Sequence, residues 1–263
     1  MTDSLSATGP AGGTEPVDST GPADPTAQLP RWLWPVARLA EHARPEDFGA
    51  AAGNIGRPSA VLILFGRRGG SDASEPSDPS NRPAADPVAA DPVAAGADVL
   101  LIRRAAGLRA HAGQPAFPGG GAEPDDAGPE ATALREATEE TGLDPSGVRV
   151  IGTLPSLYVW PSGYRVTPVL GWWHTSSPVR AADETEVAAV HRVGLDELLA
   201  PENRFRVRHR SGYIGPAFDV AGMVVWGFTG GLLDRLIRLV GWERPWDPGR
   251  VRDLPDELPA DRR

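Results

Sequence analysis

The sequence predicts an α/β or α+β fold with a mixed β-sheet. Short runs rich in β-branched and other apolar residues, such as SAVLILFG at 59–66 and DVLLIRR at 98–104, have the composition of buried strands. The segment 229–241, TGGLLDRLIRLVG, has the periodicity of an amphipathic helix that ends at Gly241. Because strands and helices alternate along the chain, the elements are expected to form one layered domain.

The remaining elements follow from the same patterns. Further strands are predicted at 148–154, 165–173, 187–193 and 223–228, and a short helix at 194–200. The segment 203–220 is predicted to be a hairpin that turns at Ser211 and Gly212.

The composition indicates a single folded domain at 31–244 in a chain of 263 residues. Residues 1–30 lack aromatic side chains and have too little apolar surface for a core, so a disordered tail is expected. A similar disordered insert, about 69–97, separates the first two strands and suits the tip of a hairpin. Residues 245–263 are rich in proline and charge, which predicts a loosely held C-terminal tail.

Several functional classes are excluded or disfavoured by composition. The chain has no cysteine, which excludes disulfides, thiolate metal sites and cysteine nucleophiles. It has neither an apolar run of about 18 residues nor an N-terminal signal pattern, so a cytoplasmic protein without membrane partners is expected. The net charge of −9 comes mostly from residues 1–30 and 71–98, so the folded part is close to neutral and no broad nucleic-acid surface is expected. The expected partner is a small molecule, and the protein is expected to be a monomer or a homodimer.

The segment ALREATEETGL at 133–143 carries an unusual cluster of acidic residues. Pro129 and Gly142 predict where its helix begins and ends. Glu136, Glu139 and Glu140 are predicted to lie opposite an apolar side, although like charges three and four residues apart repel. That apolar side is expected to comprise Ala131, Leu134, Ala137, Thr138 and Thr141. Two explanations compete: an ordinary solvated acidic face, or a site for Mg²⁺ or Mn²⁺.

The surrounding residues resemble the Nudix box, a loop–helix motif with fixed glycines, an arginine and glutamates. The matching positions are Gly120, Arg135, Glu136, Glu139, Glu140, Gly142 and Leu143. The resemblance implies a Nudix hydrolase with an α/β/α sandwich, a mixed sheet between helices, that uses Mg²⁺ or Mn²⁺. One position departs from the pattern: Ala127 stands where the box has a glutamate, and Asp126 lies one residue earlier.

A longer stretch, 100–126, resembles the extended signature of the coenzyme A pyrophosphatase subgroup of that family. The matching residues are Leu100, Leu101, Arg109, Gly113, Phe117 to Gly120, Glu123 and Asp126. Glu123 replaces the usual aspartate, and Ile102 and Asp125 replace the usual threonines. The resemblance extends over about 57–241. It implies hydrolysis of coenzyme A or an acyl-CoA to 3′,5′-ADP and a 4′-phosphopantetheine product. ADP-ribose, NADH or a nucleoside triphosphate are alternative substrates, and a nucleotide sensor without hydrolysis is an alternative function.

The resemblance also implies roles for individual residues. Glu136, Glu139 and Glu140, with Gly120, are expected to bind metal, and Glu139 or Glu140 is a candidate base acting through a bound water. Arg135 is expected to orient the glutamates rather than to touch substrate. Glu186 is either a further acid near the metals or a solvated loop acid beside Asp183 and Glu184.

Substrate binding is predicted for the glycine loop and for nearby arginines. Gly119 and Gly120 would let the backbone approach the phosphates, and Arg109, with Arg104 second, is the candidate for the 3′-phosphate of coenzyme A. A second candidate group alternates along one strand: Arg204, Arg206, Arg208 and Arg210. That group could instead form a solvated hairpin face. His111 and His209 are expected to be polar loop residues, and Trp172, Trp173 and Trp226 core residues.

Overall fold

The computed structural model describes residues 28–49, 55–68, 91–108, 111–160 and 162–254. Most of the predicted N-terminal tail, the insert from 69 to 90 and the last nine residues lie outside this range. Arg109 also lies outside the described residues.

The larger sheet is mixed and is built around the first strand, β1 (Arg57–Arg67). One neighbour, β2 (Ala97–Arg104), runs antiparallel to β1, and β7 (Tyr164–Trp173) runs parallel to it on the other side. The other strands of this sheet are β3 (Pro115–Ala116), β4 (Gly119–Gly121), β5 (Val148–Thr153), β6 (Leu157–Val159) and β8 (Val187–Gly194). β4 pairs with β1, β5 and β6 pair with β7, and β8 pairs with β2.

Helices cover both faces of this sheet, which confirms the predicted α/β/α arrangement. Helix α2 (Pro129–Thr141) packs on one face, where Ala133 and Ala137 meet Leu62 and Leu64 of β1. Helices α1 (Trp34–His42), α3 (Leu195–Leu199) and α4 (Gly227–Leu239) pack on the other face, which carries Ile63. The side chains alternate between the two cores because successive strand residues point to opposite faces.

A second, mixed sheet contains the predicted hairpin. Its strands are β9 (Arg204–Arg208), β10 (Ile214–Val220), β11 (Met223–Val225) and β12 (Val251–Asp253), in the order β11–β10–β9–β12. The turn between β9 and β10 includes Gly212, whose φ of 86° suits glycine. β12 (Val251–Asp253) pairs in parallel with β9, so part of the segment interpreted as a loose tail is held in a sheet. No helix in the described ranges is long and apolar enough to span a membrane.

The chain between β1 and β2 returns to the core earlier than the sequence suggests. Residues 91–96 form a turn in which the Asp91 carboxylate accepts the Val93 N–H at 2.8 Å. Val93 packs against the core, and Arg67 Nε donates to the Ala95 carbonyl at 3.0 Å. Composition did not reveal this turn, because its few anchoring residues stand in an Ala- and Pro-rich stretch.

Two loop deletions test this boundary. Replacing residues 71–89 with a short Gly/Ser turn should change the Tm by less than about 2 °C, because closure entropy varies slowly with loop length. Extending the deletion to residue 96 removes the Asp91 turn and the Val93 packing, and should cost about 1–2 kcal/mol. Thermal and urea unfolding of both variants measures the difference. Equal stabilities would show that the 91–96 turn contributes nothing.

Candidate active site

The glycine loop lies against β1 and α2 so closely that side chains do not fit. Gly119 pairs with Val61, and a Cβ on Gly119 would lie 2.3 Å from the Ala60 carbonyl oxygen. A Cβ on Gly120 would lie 2.5 Å from the carboxylate of Glu136. The two glycines therefore bring the loop backbone against the acidic side of α2.

Glu140 is buried at this contact, with only 3% of its surface exposed. Its Oε2 accepts the Gly119 N–H at 2.9 Å, and its Oε1 lies 3.9 Å from Nη1 of Arg104. The pKa of Glu140 is raised to about 7, chiefly by burial and also by the negative charges of Glu136 and Glu186, while the Gly119 hydrogen bond and the charge of Arg104 oppose the shift. Glu140 thus needs positive charge to remain ionised at neutral pH.

The three glutamates do not share one solvated face, which corrects the helix orientation expected from the sequence. Glu140 is buried, Glu136 is half-buried and the side chain of Glu139 is 58% exposed. The residues of α2 buried with Glu140 are Thr132, Ala133, Ala137 and Thr141. The small residues let the helix approach the sheet closely, and this places Glu140 on the buried side. The periodicity of apolar residues does not predict this orientation of the helix about its axis.

Arg135 links the helix to the loop that precedes it. Its Nε and Nη2 donate to the two oxygens of Asp126, both at 3.1 Å. Nη2 also donates to the Gly121 carbonyl at 2.9 Å, and Nη1 donates to Glu136 at 3.1 Å and Glu139 at 3.0 Å. These bonds fix the direction of the carboxylates, which supports an orienting role for Arg135.

Asp126 is the partner that the sequence analysis did not assign to Arg135. The hydroxyl of Thr132 and the N–H of Glu123 donate to the same carboxylate, each at 2.9 Å. The Arg135 hydrogen bonds are the largest reason why the pKa of Asp126 lies well below its usual range, and Asp126 in turn raises the pKa of Arg135. The sequence offers one signal for this ion pair, namely an acidic residue, Asp126, nine positions before Arg135.

Glu186 and Arg104 border the same region from β8 and β2. Glu186 is exposed and precedes β8, and its carbonyl accepts the Ala105 N–H at 2.7 Å. The charge of Glu186 raises the pKa of both Glu136 and Glu140, which places it within electrostatic range of them. The buried Nε of Arg104 has no hydrogen-bond partner among the described residues.

The second arginine group does not form a common cationic face. Arg204 is 1% exposed, and its Nη2 lies 2.6 Å from Asp234 and 3.3 Å from Glu243. Arg208 lies 3.3 Å from Asp253, while Arg206 is exposed. The hypothesis that all four arginines share a phosphate-binding face is therefore wrong for Arg204. Its side chain is buried in the second sheet, where Asp234 and Glu243 neutralise its charge.

The remaining candidates have structural contacts. His111 lies in a loop, with Nδ1 3.1 Å from Oε1 of Gln114, and the ring of His209 stacks on Trp226 at 5.5 Å. Trp173 is buried, and Trp172 and Trp226 pack against the apolar cores. These placements agree with the loop and core interpretations.

The carboxylate oxygens of Glu136, Glu139 and Glu140 are of the donor type that divalent cations prefer, although they do not converge on one point. In the described part of the chain, no three Asp, Glu or His groups converge closely enough to hold a metal. The carboxylates of Glu136 and Glu139 are held by Arg135, and that of Glu140 by Gly119. Even so, burial and neighbouring negative charge raise the pKa of Glu136 and Glu140, and hard oxygen donors beside an open glycine backbone suit Mg²⁺ or Mn²⁺. Metal binding would require these side chains to turn.

Comparisons with known proteins place the chain among similar sequences. The NUDIX domain family matches residues 85–213. A Yersinia pestis (strain Pestoides F) protein described as an uncharacterized Nudix hydrolase, NudL, is 40% identical over 145 residues, which are 54% of this chain and 72% of the relative. A Yersinia pseudotuberculosis (serotype O:1b, strain IP 31758) protein of the same description matches equally.

Solved structures resemble the chain more distantly. The Nudix hydrolase RenU from M. smegmatis has a TM-score of 0.42 and 17% identity, covering 71% of this chain and 87% of that one. An Ap4A hydrolase from C. elegans has a TM-score of 0.41 and 13% identity, covering 71% of this chain and 98% of that one.

The packing of the glycine loop can be tested with two alanine substitutions. Gly119→Ala should destabilise the protein by about 2 kcal/mol or more, because its Cβ meets the rigid backbone of β1. Gly121→Ala is the matched control, since a Cβ there meets nothing within 4 Å. Urea unfolding compares the two variants. If both lose the same free energy, close approach at Gly119 is not what requires glycine.

The Asp126–Arg135 pair predicts a specific pH dependence. A depressed folded pKa stabilises the protein above the unfolded value, about 3.9, and this stabilisation is lost as pH falls through the folded pKa. Asp126→Ala should therefore be less stable than wild type at pH 7, with the gap narrowing below about pH 4. Glu123→Ala removes a more distant, exposed acid and should show a smaller gap. A pH-independent gap for Asp126→Ala would contradict the ion-pair explanation.

Proposed function

Because the chain belongs to the Nudix hydrolase family, we propose that it hydrolyses the diphosphate of coenzyme A or an acyl-CoA. The products would be 3′,5′-ADP and 4′-phosphopantetheine or its acyl form. The family membership makes the chain an enzyme that acts on phosphoric anhydride bonds of nucleotide-like substrates. The choice of coenzyme A is supported by the sequence signature at 100–126.

One observation carries the hydrolytic proposal: buried Glu140 and half-buried Glu136 meet the bare backbone of Gly119 and Gly120. Carboxylates in this position destabilise one another and attract a cation. A protein that only bound nucleotides would have no need of them, and the opposite charge would serve it better. The arrangement therefore favours hydrolysis over sensing.

The proposed metal ligands are Glu136, Glu139 and Glu140, together with the Gly120 backbone. When bound there, Mg²⁺ or Mn²⁺ supplies charge neutralisation for the diphosphate and lowers the pKa of water. Arg135 holds the carboxylates of Glu136 and Glu139 through the bonds described above, and that of Glu136 lies beside Gly120. Its attachment to Asp126 makes it a positioning residue.

The chain's own groups would bind the substrate and move protons. Gly119 and Gly120 admit the phosphates next to the backbone, and Arg104 offers a guanidinium whose Nε has no hydrogen-bond partner among the described residues. Arg109 is proposed as the ligand of the 3′-phosphate on the strength of its place in the signature. Glu139, Glu140 and Glu186 are the candidate bases, and Glu139 is more exposed to solvent than Glu140.

A substrate panel tests the proposed specificity. Coenzyme A, an acyl-CoA, 3′-dephospho-coenzyme A, ADP-ribose, NADH and a nucleoside triphosphate are incubated with the enzyme in Mg²⁺ or Mn²⁺, and the products are identified by mass spectrometry. The expected result is a higher kcat/KM for coenzyme A or acyl-CoA than for the others. A preference for ADP-ribose, NADH or the triphosphate would refute the substrate, and no hydrolysis of any compound would refute the reaction.

Glu140→Gln tests the catalytic centre. The substitution keeps an oxygen for the Gly119 N–H but removes the charge, so turnover should fall at least about a hundredfold. The Tm should not fall greatly, because a repelled, buried charge is also lost. Glu130→Gln, on the exposed first turn of α2, is the control and should retain wild-type turnover. Near wild-type turnover of Glu140→Gln, or full activity in chelator, would contradict the assignment.

A further inference from the structure

Three of the exposed large apolar side chains lie at one end of the larger sheet. Trp160 is 82% exposed, Ile55 72% and Tyr158 45%. Gly56, which follows Ile55 in the sequence, lies close to Tyr158, since a Cβ on Gly56 would lie 3.0 Å from Cδ2 of Tyr158. Arg57 N donates to the Gly163 carbonyl at 3.0 Å, which holds the start of β1 beside the β6–β7 turn. Clustered exposed apolar groups of this kind mark binding sites more often than single ones do.

The strand registers place Tyr158 on the same face as the candidate active site. Gly120, which contacts Glu136, pairs with Ala60 of β1, and Ala60 pairs with Thr167 of β7. Two residues along, Pro58 pairs with Arg165, and Arg165 pairs with Tyr158 of β6. Because alternate strand residues share a face, Pro58, Arg165 and Tyr158 face the α2 side.

On this face, the strand residues between the glycine loop and Tyr158 form one surface, called the floor here. Its inner row consists of small residues, ending in Thr167 and Ser156, whose hydroxyl oxygens lie 2.7 Å apart. From the strand spacing and the rise per residue, the Cα atoms of Arg165 and Tyr158 lie about 12 and 16 Å from that of Gly120. A substrate whose diphosphate lies on the glycine loop could therefore extend one of its arms across this floor.

The charge along the floor favours an anionic arm with an aromatic end. Arg165 lies on this face, between the glycine loop and Tyr158. Exposed tyrosine and tryptophan rings bind flat bases by stacking, and arginine binds phosphate. A nucleoside phosphate combines both features, whereas a pantetheine arm has no ring to stack.

We infer that Tyr158, Trp160 and Arg165 form a subsite for the adenine nucleotide end of the substrate, with the base on the aromatic rings and the 5′-phosphate of the ribose facing Arg165. This inference rests on the proposed diphosphate hydrolysis for the position of the other end of the substrate. It assigns the nucleotide to the β6–β7 side of the glycine loop. The remaining arm then lies on the other side, toward Arg104 and Glu186.

Equilibrium binding without turnover tests the subsite. The full chain is titrated with 5′-AMP and, separately, with ribose 5-phosphate in a calorimeter, using wild type, Trp160→Ala and Tyr158→Ala. Stacking should make 5′-AMP bind more tightly than ribose 5-phosphate, and at least one aromatic variant should lose about five- to a hundredfold in affinity for 5′-AMP alone. Arg165→Ala should weaken both ligands. Tyr213→Ala, which removes a similarly exposed tyrosine from the second sheet, is the matched control and should bind as wild type does.

Two results would overturn the subsite: wild type that does not bind 5′-AMP at millimolar concentration, or both aromatic variants binding it as tightly as wild type. Tighter binding of 4′-phosphopantetheine that depends on Trp160 would assign the surface to the other arm and overturn the nucleotide assignment. Because no turnover is measured, aromatic-dependent binding of 5′-AMP by a protein that hydrolyses nothing would sustain the subsite and refute the reaction. Hydrolysis of coenzyme A, combined with 5′-AMP affinities that are unchanged in both aromatic variants, would sustain the reaction and refute the subsite.

Discussion

The packing of helix α2 on the glycine loop is the contact on which the rest of the site depends. The Gly119 N–H binds the buried Glu140 carboxylate at 2.9 Å, and Gly120 leaves room for the carboxylate of Glu136. Neither contact survives a side chain on the loop, and both place negative charge in a poorly solvated position. Such a contact favours a neighbouring positive charge, and Arg104 and Arg135 supply positive charge close to Glu140 and Glu136.

Arg135 determines how that charge is directed. A guanidinium that only neutralised the glutamates could lie anywhere near them, but this one is fixed by both oxygens of Asp126 and by the Gly121 carbonyl. The planar fork of arginine makes such bidentate contacts directional. The loop, the helix and two carboxylates are consequently joined through one side chain, and a lysine would not reproduce these bonds.

Much of the fold could be predicted because it rests on local patterns. Pro129 and Gly142 bound α2 as predicted, and Gly142 adopts the left-handed conformation. The strands predicted at 148–154, 165–173 and 187–193 followed from apolar runs, and the hairpin followed from the turn at Ser211 and Gly212. The strand predicted at 223–228 is shorter than expected, because β11 ends at Val225 and α4 begins at Gly227. The orientation of α2 about its axis could not be predicted from apolar periodicity. Glu140 is buried because its carboxylate accepts the Gly119 N–H, and not because its side chain is hydrophobic. The partner of Arg204 and the strand β12 also depend on contacts distant in sequence.

The most direct test of the central claim is the equilibrium affinity of the protein for Mn²⁺, measured by electron paramagnetic resonance without substrate. If Glu136 and Glu140 are metal ligands, the wild-type protein binds Mn²⁺, and Glu140→Gln binds it at least about tenfold more weakly. Glu130→Gln, from the same helix, retains the wild-type affinity. Equal affinities for wild type and Glu140→Gln would contradict the claim that the buried glutamate is kept there to hold a metal.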